Sequence, residues 1–207
     1  MEKKGEKYIP AYKTILIGDS GVGKTSILKR FLYNTFDDYT MTTIGMNSSI
    51  YDMTLTDGTQ IKIKIMDTAG EEKYKSLGKR YFTNADAVLF VFALDNMESL
   101  EHITSWLKVF EDSSNTRIDV PKYLIGNKSD LIPEIHQEQI DKFLKENNTF
   151  KYKATSAKEG NKDITEVFQE LGEILYKENK KYENVRGVQL KLNSKEKKNC
   201  ALADCIM

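Results

Sequence analysis

The sequence predicts an α/β fold in which helices cover both faces of a mostly parallel sheet. Strand-like and helix-like patterns alternate along the 207-residue chain, and this alternation is typical of the fold class. Two apolar runs, residues 87–94 and 122–125, have the short, continuous character of buried central strands. Because ligands in such sheets bind outside the carboxyl ends of the strands, functional residues are expected in the loops that follow them.

The first part of the chain predicts three strands and one helix. Residues 12–17 form a strand-like run, and a helical stretch at residues 26–32 follows it. Residues 51–55 and 61–65 alternate apolar with polar positions on either side of Asp57-Gly58, a dipeptide favoured in two-residue hairpin turns. These two strands are therefore predicted to form an antiparallel pair.

Two further helices are predicted from apolar side chains that recur at spacings of three and four residues. The first follows the run at 87–94 and contains Leu100, Ile103, Leu107 and Phe110. The second contains Ile164, Val167, Phe168, Leu171, Ile174 and Leu175. Asp163 followed by Glu166 resembles a capping box at the start of this last helix. Neither His102 nor His136 lies in a cluster typical of metal ligands, and both are predicted to be ordinary helix residues.

The composition limits the classes of function. Lys plus Arg and Asp plus Glu each number 31, which argues against nucleic-acid binding through bulk positive charge. The longest apolar run is far shorter than the roughly 20 residues that a membrane-spanning helix requires. Residues 1–7 are charged and lack an apolar segment, so they are predicted to be an N-terminal extension and not a secretory signal. We predict an intracellular protein with one domain at residues 8–176, and a monomer by default.

Residues 177–207 are predicted to form a flexible C-terminal tail. This stretch has more basic than acidic residues and shows neither strong helical nor strand periodicity. It contains both cysteines of the chain, Cys200 and Cys205. A disulfide framework or a cysteine-based zinc site within the domain is therefore excluded.

Residues 18–25 (GDSGVGKT) fit the pattern G-x-x-x-x-G-K-[ST] directly after a predicted strand and before a predicted helix. Glycines let the backbone curl so that successive N–H groups point at phosphate oxygens. Lys24 is expected to bind the β- and γ-phosphates, and the Thr25 hydroxyl to ligate Mg²⁺. The alternative is a glycine-rich turn followed by a surface lysine. The predicted phosphate-binding residues are Ser20, Gly21, Val22, Gly23, Lys24, Thr25 and Ser26.

Two later segments, Asn127-Lys128-Ser129-Asp130 and Thr155-Ser156-Ala157-Lys158, complete a resemblance to the Ras superfamily of small GTPases, most like the Rab family. The resemblance implies a P-loop NTPase-type sheet of six strands, mostly parallel, with one antiparallel edge pairing. It also implies that Asp130 selects guanine, that Asn127 braces the loop, and that the Lys128 stem lies along the base. The backbone of Ser156, Ala157 and Lys158 would meet the guanine oxygen. A carboxylate matched to two guanine donors would be badly paired by adenine; the alternative for the first segment is an ordinary polar turn.

The resemblance further assigns residues to Mg²⁺ and to the γ-phosphate of GTP. Asp67 would hold Mg²⁺ through water, Thr43 would close over it with its hydroxyl, and the Gly70 N–H would contact the γ-phosphate. Phe36 would pack against the guanine ring; the alternative is a plain core or helix-end aromatic. Glu71 stands where the family usually has a glutamine that orients the attacking water. The implied catalytic set is Glu71, Lys24, Thr43 and Gly70, and the implied metal ligands are Thr25, Thr43 and Asp67.

A Rab-like protein would be a GTP/GDP switch in vesicle trafficking that cycles between the cytoplasm and the cytoplasmic face of an intracellular membrane. Exchange factors, GTPase-activating proteins and effectors would bind the switch regions, and Cys200, Cys205 or both would be prenylated. The sequence also departs from the Rab pattern. Residues 46–48 read M-N-S where Rabs usually have V-D-F, Met66 replaces a tryptophan, and the C-terminus lacks the usual cysteine endings. Two other functions remain open: a nucleotide-binding module without turnover, and a P-loop ATPase or nucleotide kinase.

Overall fold

The computed structural model describes residues 9–39, 41–43, 45–68, 82–113, 119–160 and 162–180. Its six strands are β1 Ala11–Ile17, β2 Met46–Thr54, β3 Gln60–Thr68, β4 Ala87–Ala93, β5 Lys122–Asn127 and β6 Phe150–Ala154. The described helices are α1 Lys24–Tyr33, α2 Met97–Glu111, α3 Gln137–Glu146 and α4 at residues 163–180. Within the described ranges, no helix combines the length and the apolar character needed to cross a bilayer.

The strands form one sheet in the order β2-β3-β1-β4-β5-β6. Strand β1 is parallel to β3 and β4, and β5 is parallel to β4 and β6. Strand β2 pairs antiparallel with β3 at one edge. Every residue of β4 and β5 is buried, as expected for continuous apolar runs in a central position. The predicted mostly parallel, six-stranded sheet with one antiparallel edge pair is confirmed.

Helices pack on both faces of the sheet because the strands alternate their side chains between two cores. In β1, Leu16 belongs to one core and its neighbours Ile15 and Ile17 to the other. The first core contains buried residues of α1 and α4, and the second contains buried residues of α2 and α3. The loops at the carboxyl ends of the parallel strands emerge between these two layers, where ligands are expected.

Three local features differ from the sequence expectations. Strand β2 begins at Met46 and not near residue 51. Its first half is polar and gives no strand pattern in the sequence, but backbone pairing with β3 holds it in the sheet. The hairpin turn has three residues and not two: the Leu55 N–H donates to the Thr59 carbonyl at 2.8 Å, and Gly58 donates to Leu55 at 2.9 Å. His136 is not inside a helix but forms the N-cap of α3, in a capping box with Gln139.

Helix α4 begins at residue 163, and the Glu166 N–H donates to the Lys162 carbonyl at 2.9 Å. Lys162 therefore takes the N-cap position that the sequence suggests for Asp163, a shift of one residue. The helix continues to residue 180. It thus includes residues 177–180, which the sequence analysis assigned to the tail, because lysines and glutamates continue a helix well without an apolar face. Residues 181–207 and 1–8 lie outside the described ranges.

Candidate nucleotide-binding site

The segment at residues 18–23 connects β1 to α1 at the carboxyl end of the sheet. Gly23 is the N-cap of α1 and has a φ of 97°, in the left-handed region that favours glycine. A Cβ atom there would lie 2.2 Å from Nδ2 of Asn127, so the close approach of two loops also requires glycine. The first turn of α1 carries Lys24 and Thr25, so the positive end of the helix and a cation point to the same place.

Lys24 is 5% exposed and folds back over its own loop. Its Nζ donates to the carbonyls of Gly18 at 2.8 Å and Asp19 at 2.7 Å. Burial lowers the pKa of the Lys24 ammonium to about 8, although the nearby Asp67 and Asp19 carboxylates act to raise it. A desolvated ammonium held by carbonyl oxygens gains from a nearby anion, which is what a phosphate supplies.

Three side chains that the sequence analysis assigned to Mg²⁺ converge beside Lys24. The Thr25 hydroxyl lies 2.8 Å from Oγ1 of Thr43 and donates to Oδ2 of Asp67 at 2.6 Å. Asp67 is 1% exposed, and its Oδ1 has no hydrogen-bond partner among the described residues. Burial raises the pKa of the Asp67 carboxyl, while the Thr25 hydrogen bond and the Lys24 charge lower it. An orphaned carboxylate oxygen beside two hydroxyls fits the oxygen ligands that Mg²⁺ prefers.

Asn127, the last residue of β5, links the phosphate loop to the loop after β6. Its Nδ2 donates to the Val22 carbonyl at 2.9 Å, and its Oδ1 accepts from the Ala157 N–H at 3.2 Å and the Thr155 hydroxyl at 3.4 Å. The side chain is 2% exposed, so its amide is committed to these protein partners. The arrangement matches the bracing role that the resemblance implies.

Asp130 lies in the turn after β5 and is held from behind by a buried hydroxyl. The Ser156 Oγ donates to Oδ1 of Asp130 at 2.5 Å. Lys128 has a φ of 66° and places its Nζ 3.2 Å from Oδ1 of Asp95. A carboxylate fixed in this way presents its remaining lone pairs to the cleft as acceptors.

A cleft of about 420 Å³ joins these groups. It is lined by most of the predicted site residues, namely Ser20, Gly21, Gly23, Lys24, Thr25, Ser26, Phe36, Thr43, Asn127, Lys128, Asp130, Ala157 and Lys158. Three predicted residues act from behind the lining: Val22 and Ser156 are buried, and Asp67 reaches the site through Thr25. Gly70 and Glu71 lie outside the described residues.

Several residues at the site are not among the predicted site residues. The cleft is also lined by Asp37, Asp38, Met41, Thr42, Thr68 and Leu131. Asp37 forms an ion pair with Lys29 at 2.7 Å. The side chain of Asp19 accepts from Nε1 of Trp106 at 2.7 Å and lies 2.7 Å from Nδ1 of His102. His102 is thus a residue of α2, as predicted, but it also contacts the phosphate loop, a pairing that local sequence patterns cannot indicate.

The similarity to known protein families shows to which family the chain belongs. The family model of the Ras family matches residues 13–177. The chain belongs to the Ras family. Its Ras-family relatives include the Ras-related protein Rab-13 of Bos taurus, which is 32% identical over 173 residues, covering 82% of this chain and 83% of the relative. The GTP-binding protein ypt3 of Schizosaccharomyces pombe is 34% identical over 166 residues, covering 79% and 75%.

The Ras-related protein Rab-9A of Mus musculus is similar over a longer stretch, with 30% identity over 192 residues that cover 91% of this chain and 94% of the relative. The predicted resemblance to Ras-superfamily small GTPases, most like the Rab family, is therefore confirmed. The six-stranded sheet described above is the architecture of this Ras-family protein.

Proposed function

We propose that this Ras-family protein binds GTP and GDP with Mg²⁺, hydrolyses GTP, and acts as a switch in vesicle trafficking. The observation that carries the proposal is that one cleft contains both groups suited to phosphate and Mg²⁺ and a carboxylate suited to a guanine base. Lys24 and the Thr25, Thr43 and Asp67 oxygens lie at one end, and Asp130 lies at the other. A guanine nucleotide offers phosphates, a metal-binding tail and a base edge with two donors.

The phosphate end of the cleft binds by charge and by backbone N–H groups. Lys24 would leave the carbonyls of Gly18 and Asp19 to contact the β- and γ-phosphates, while the loop N–H groups contact the same oxygens. Thr25 and Thr43 would hold Mg²⁺ directly and Asp67 through water; when bound, the ion supplies neutralisation of phosphate charge. Phosphoryl transfer depends on positioning and charge more than on covalent chemistry, so no nucleophilic side chain is needed.

The base end supplies guanine selectivity. The Asp130 carboxylate, held by Ser156, would accept two hydrogen bonds from the guanine edge. Phe36 and Lys128 also line the cleft, and the phenyl ring and the lysine stem would contact the faces of the base. Adenine lacks the matching pair of donors and would leave a carboxylate unpaired, which a buried site penalises strongly.

The switching mechanism follows from where the metal ligands lie in the chain. Thr43 lies between α1 and β2, and Asp67 is one residue from the end of β3. Contacts to the γ-phosphate through Thr43 and Gly70 would hold the segments around these residues in one arrangement, and hydrolysis would release them. Exchange factors, GTPase-activating proteins and effectors would read the two arrangements. Glu71 would set the rate of hydrolysis.

A second candidate function is a guanine-nucleotide binding module without meaningful turnover. Glu71 favours it, because an ionised carboxylate can accept a hydrogen bond from water but cannot donate one to the phosphate. Multiple-turnover phosphate release, with and without a GTPase-activating protein, separates the two functions. Steady release supports the switch, whereas GTP retained over hours with no phosphate released supports the binding module.

The proposal includes the ends of the chain. Residues 8–176 would form the nucleotide-binding domain, with residues 1–7 as an extension and 177–207 as a tether. Prenylation of Cys200, Cys205 or both, next to a lysine-rich segment, would hold the protein on the cytoplasmic face of an intracellular membrane. One lipid chain gives weak binding, and a second lipid or basic residues would be needed for stable attachment.

Calorimetry tests the proposed function most directly. We expect GDP and GTP, with Mg²⁺ present, to bind at least about 100-fold more tightly than ADP and ATP. An Asp130→Ala variant serves as the control, because it should lose this preference while keeping the phosphate contacts. Equal affinity for guanine and adenine nucleotides would contradict the proposal, and the identity of the co-purified nucleotide gives an independent check.

A further inference from the structure

Arg30, near the end of α1, binds the loop that follows β6 with most of its guanidinium. Its Nε donates to the Ala157 carbonyl at 2.8 Å, and its NH2 donates to the Lys158 carbonyl at 2.8 Å. Its NH1 donates to the carbonyl of Asn34 at 2.9 Å and to Oδ1 of Asn34 at 3.1 Å. Two edges of one rigid, planar group therefore hold two separate segments of the chain.

The loop is shaped to receive this group. Gly160 has a φ of 66°, in the left-handed region, and a Cβ atom there would lie 2.8 Å from Cζ of Arg30. The loop then closes on itself, because the Gly160 N–H donates to the Ser156 carbonyl at 3.2 Å. The guanidinium is thus packed against bare backbone on one side and hydrogen-bonded to carbonyls along its edge.

These bonds fix the direction in which the loop's N–H groups point. A trans peptide is planar, so its C=O and N–H point in opposite directions. Because the Ala157 carbonyl faces Arg30, the N–H of Lys158, in the same peptide unit, points away from Arg30. Ala157 and Lys158 both line the cleft. A charged donor on a carbonyl also polarises the peptide and makes its N–H a better donor.

Arg30 also lies on the element that carries the phosphate loop. Helix α1 begins at Lys24, and Asn34 ends it in a left-handed conformation whose N–H donates to the Arg30 carbonyl. Phe36, two residues later, lines the cleft. The Arg30 side chain therefore connects three parts of the site by hydrogen bonds: the helix after the phosphate loop, the loop after β6, and the start of the segment that leads to Thr43.

We propose that Arg30 is a positioning residue for guanine recognition: it orients the peptide between Ala157 and Lys158 so that the Lys158 N–H is presented to the guanine oxygen. The inference rests on the proposed function, since it assigns a determinant of base selectivity to the same cleft. Arg30 does not touch the nucleotide; it acts through the loop.

The test measures how fast radiolabelled GDP and 6-thio-GDP leave the full-length protein in Mg²⁺ when chased with excess unlabelled GDP. The thio analogue keeps the donors that face Asp130 and replaces the guanine oxygen with sulfur, a weaker acceptor. Arg30→Met should accelerate GDP release about ten-fold and 6-thio-GDP release much less. The ratio of the 6-thio-GDP rate to the GDP rate should therefore fall. Arg30→Lys should restore part of the ratio, because an ammonium lacks the planar fork. Lys62→Met, which removes a cation paired with Asp52 at 3.4 Å on the hairpin, is the control and should change neither rate.

The outcomes separate this inference from the proposed function. An unchanged ratio in Arg30→Met, whether both rates rise equally or neither does, overturns the positioning role while leaving guanine binding intact. If the native chain itself fails to retain GDP, the proposed function fails first. If Arg30→Met does not fold, the ratio in Arg30→Lys decides, and it is expected to lie below the native value.

Discussion

The carboxylate of Asp130 shows how one residue can be fixed by hydrogen bonds arranged in series. Ser156 Oγ accepts from the Glu159 N–H at 3.0 Å, so its own hydrogen is directed to Asp130. The serine is fully buried and cannot exchange this partner for water. The carboxylate is therefore oriented before any ligand arrives, which reduces the entropy lost when a base binds.

Asp130→Asn should exchange one base preference for another. The amide presents an N–H₂ donor where the carboxylate presented an acceptor, so it suits the extra carbonyl of xanthine. We expect GDP affinity to fall at least about 100-fold and xanthosine diphosphate to bind more tightly than GDP. Calorimetry with both nucleotides measures this, with Asp141→Asn in α3 as a charge-matched control. A variant that loses GDP without gaining the xanthine nucleotide would contradict the assigned role.

Glu71 is the residue whose chemistry departs most from the family pattern. A glutamine in its place could both accept from water and donate to a phosphate oxygen, and it would remove a negative charge near the γ-phosphate. We expect single-turnover GTP cleavage in Glu71→Gln to differ from the native rate by at least about three-fold. Quenched-flow measurement on GTP-loaded protein tests this. Equal rates would contradict the expectation that a carboxylate at this position alters the rate of hydrolysis.

At the scale of elements, aromatic packing connects the helix of the phosphate loop to α4 and β2. The rings of Phe31 and Phe168 stack with centroids 3.9 Å apart, and Phe31 also contacts Tyr51 at 4.5 Å. Phe168 is completely buried. Helix α1 therefore depends on α4 for its position, although the two helices are far apart in sequence.

Phe168→Ala should lower the free energy of unfolding by about 3–5 kcal/mol, since it removes a buried ring and leaves a cavity beneath α1. Phe168→Leu should cost less because it fills part of that volume. Urea unfolding of both variants gives the values. A loss below about 1 kcal/mol in Phe168→Ala would mean that the site collapses around the smaller side chain.

Helix α4 also holds the tip of the β2–β3 hairpin. The Glu173 carboxylate accepts from the Thr56 N–H at 2.8 Å and from the Thr56 hydroxyl at 2.7 Å. These two bonds hold the pKa of Glu173 below its ordinary range. A depressed pKa means that the contribution to stability is present above the unfolded-state value and is lost as the pH falls through the folded-state value.

Glu173→Ala should therefore destabilise the protein by less than about 1 kcal/mol at neutral pH, because the pair is exposed to solvent. The difference from the native chain should shrink as the pH falls below about 4. Urea unfolding at pH 7 and at about pH 3.5 tests the sign, with Glu178→Ala on the same helix as control. A difference that grows in acid would contradict the assignment.

The sequence predicts those elements whose own residues form a recognisable short-range pattern. The phosphate loop, Asp130 and the central strands are contiguous segments with short-range patterns, and they lie as predicted. Strand β6 is not predicted from its own residues, because FKYKA has two lysines. Helix α3 is predicted only as a helical stretch around His136, without bounds, because it buries only Ile140 and Phe143 among its described residues. The bonds from Arg30 to Ala157 and from Asn127 to Val22 join residues more than 100 positions apart. Pairings of that kind are set by the folded sheet and leave no local trace.

At the scale of the whole molecule, the proposed membrane attachment depends on the two cysteines of residues 177–207. We expect protein purified from its own cells to carry one or two isoprenoid groups on Cys200 and Cys205, since a single chain holds a protein only weakly. Intact-mass measurement detects each added group, and a Cys200→Ser, Cys205→Ser double variant provides the unmodified mass. Native protein with the unmodified mass would remove the membrane-tether proposal but not the nucleotide site.

The register of the β2–β3 ladder joins the start of β2 to the part of β3 that carries Asp67. Met46 pairs with Thr68 and Asn47 with Asp67, so the start of β2, three residues after Thr43, is paired directly with the strand that carries the Asp67 carboxylate. Along the same part of β2, the side chains of Asn47 and Ser48 are exposed. Substitutions at these two positions are therefore expected to change the exposed surface of β2 while the backbone pairing beside the cleft is kept.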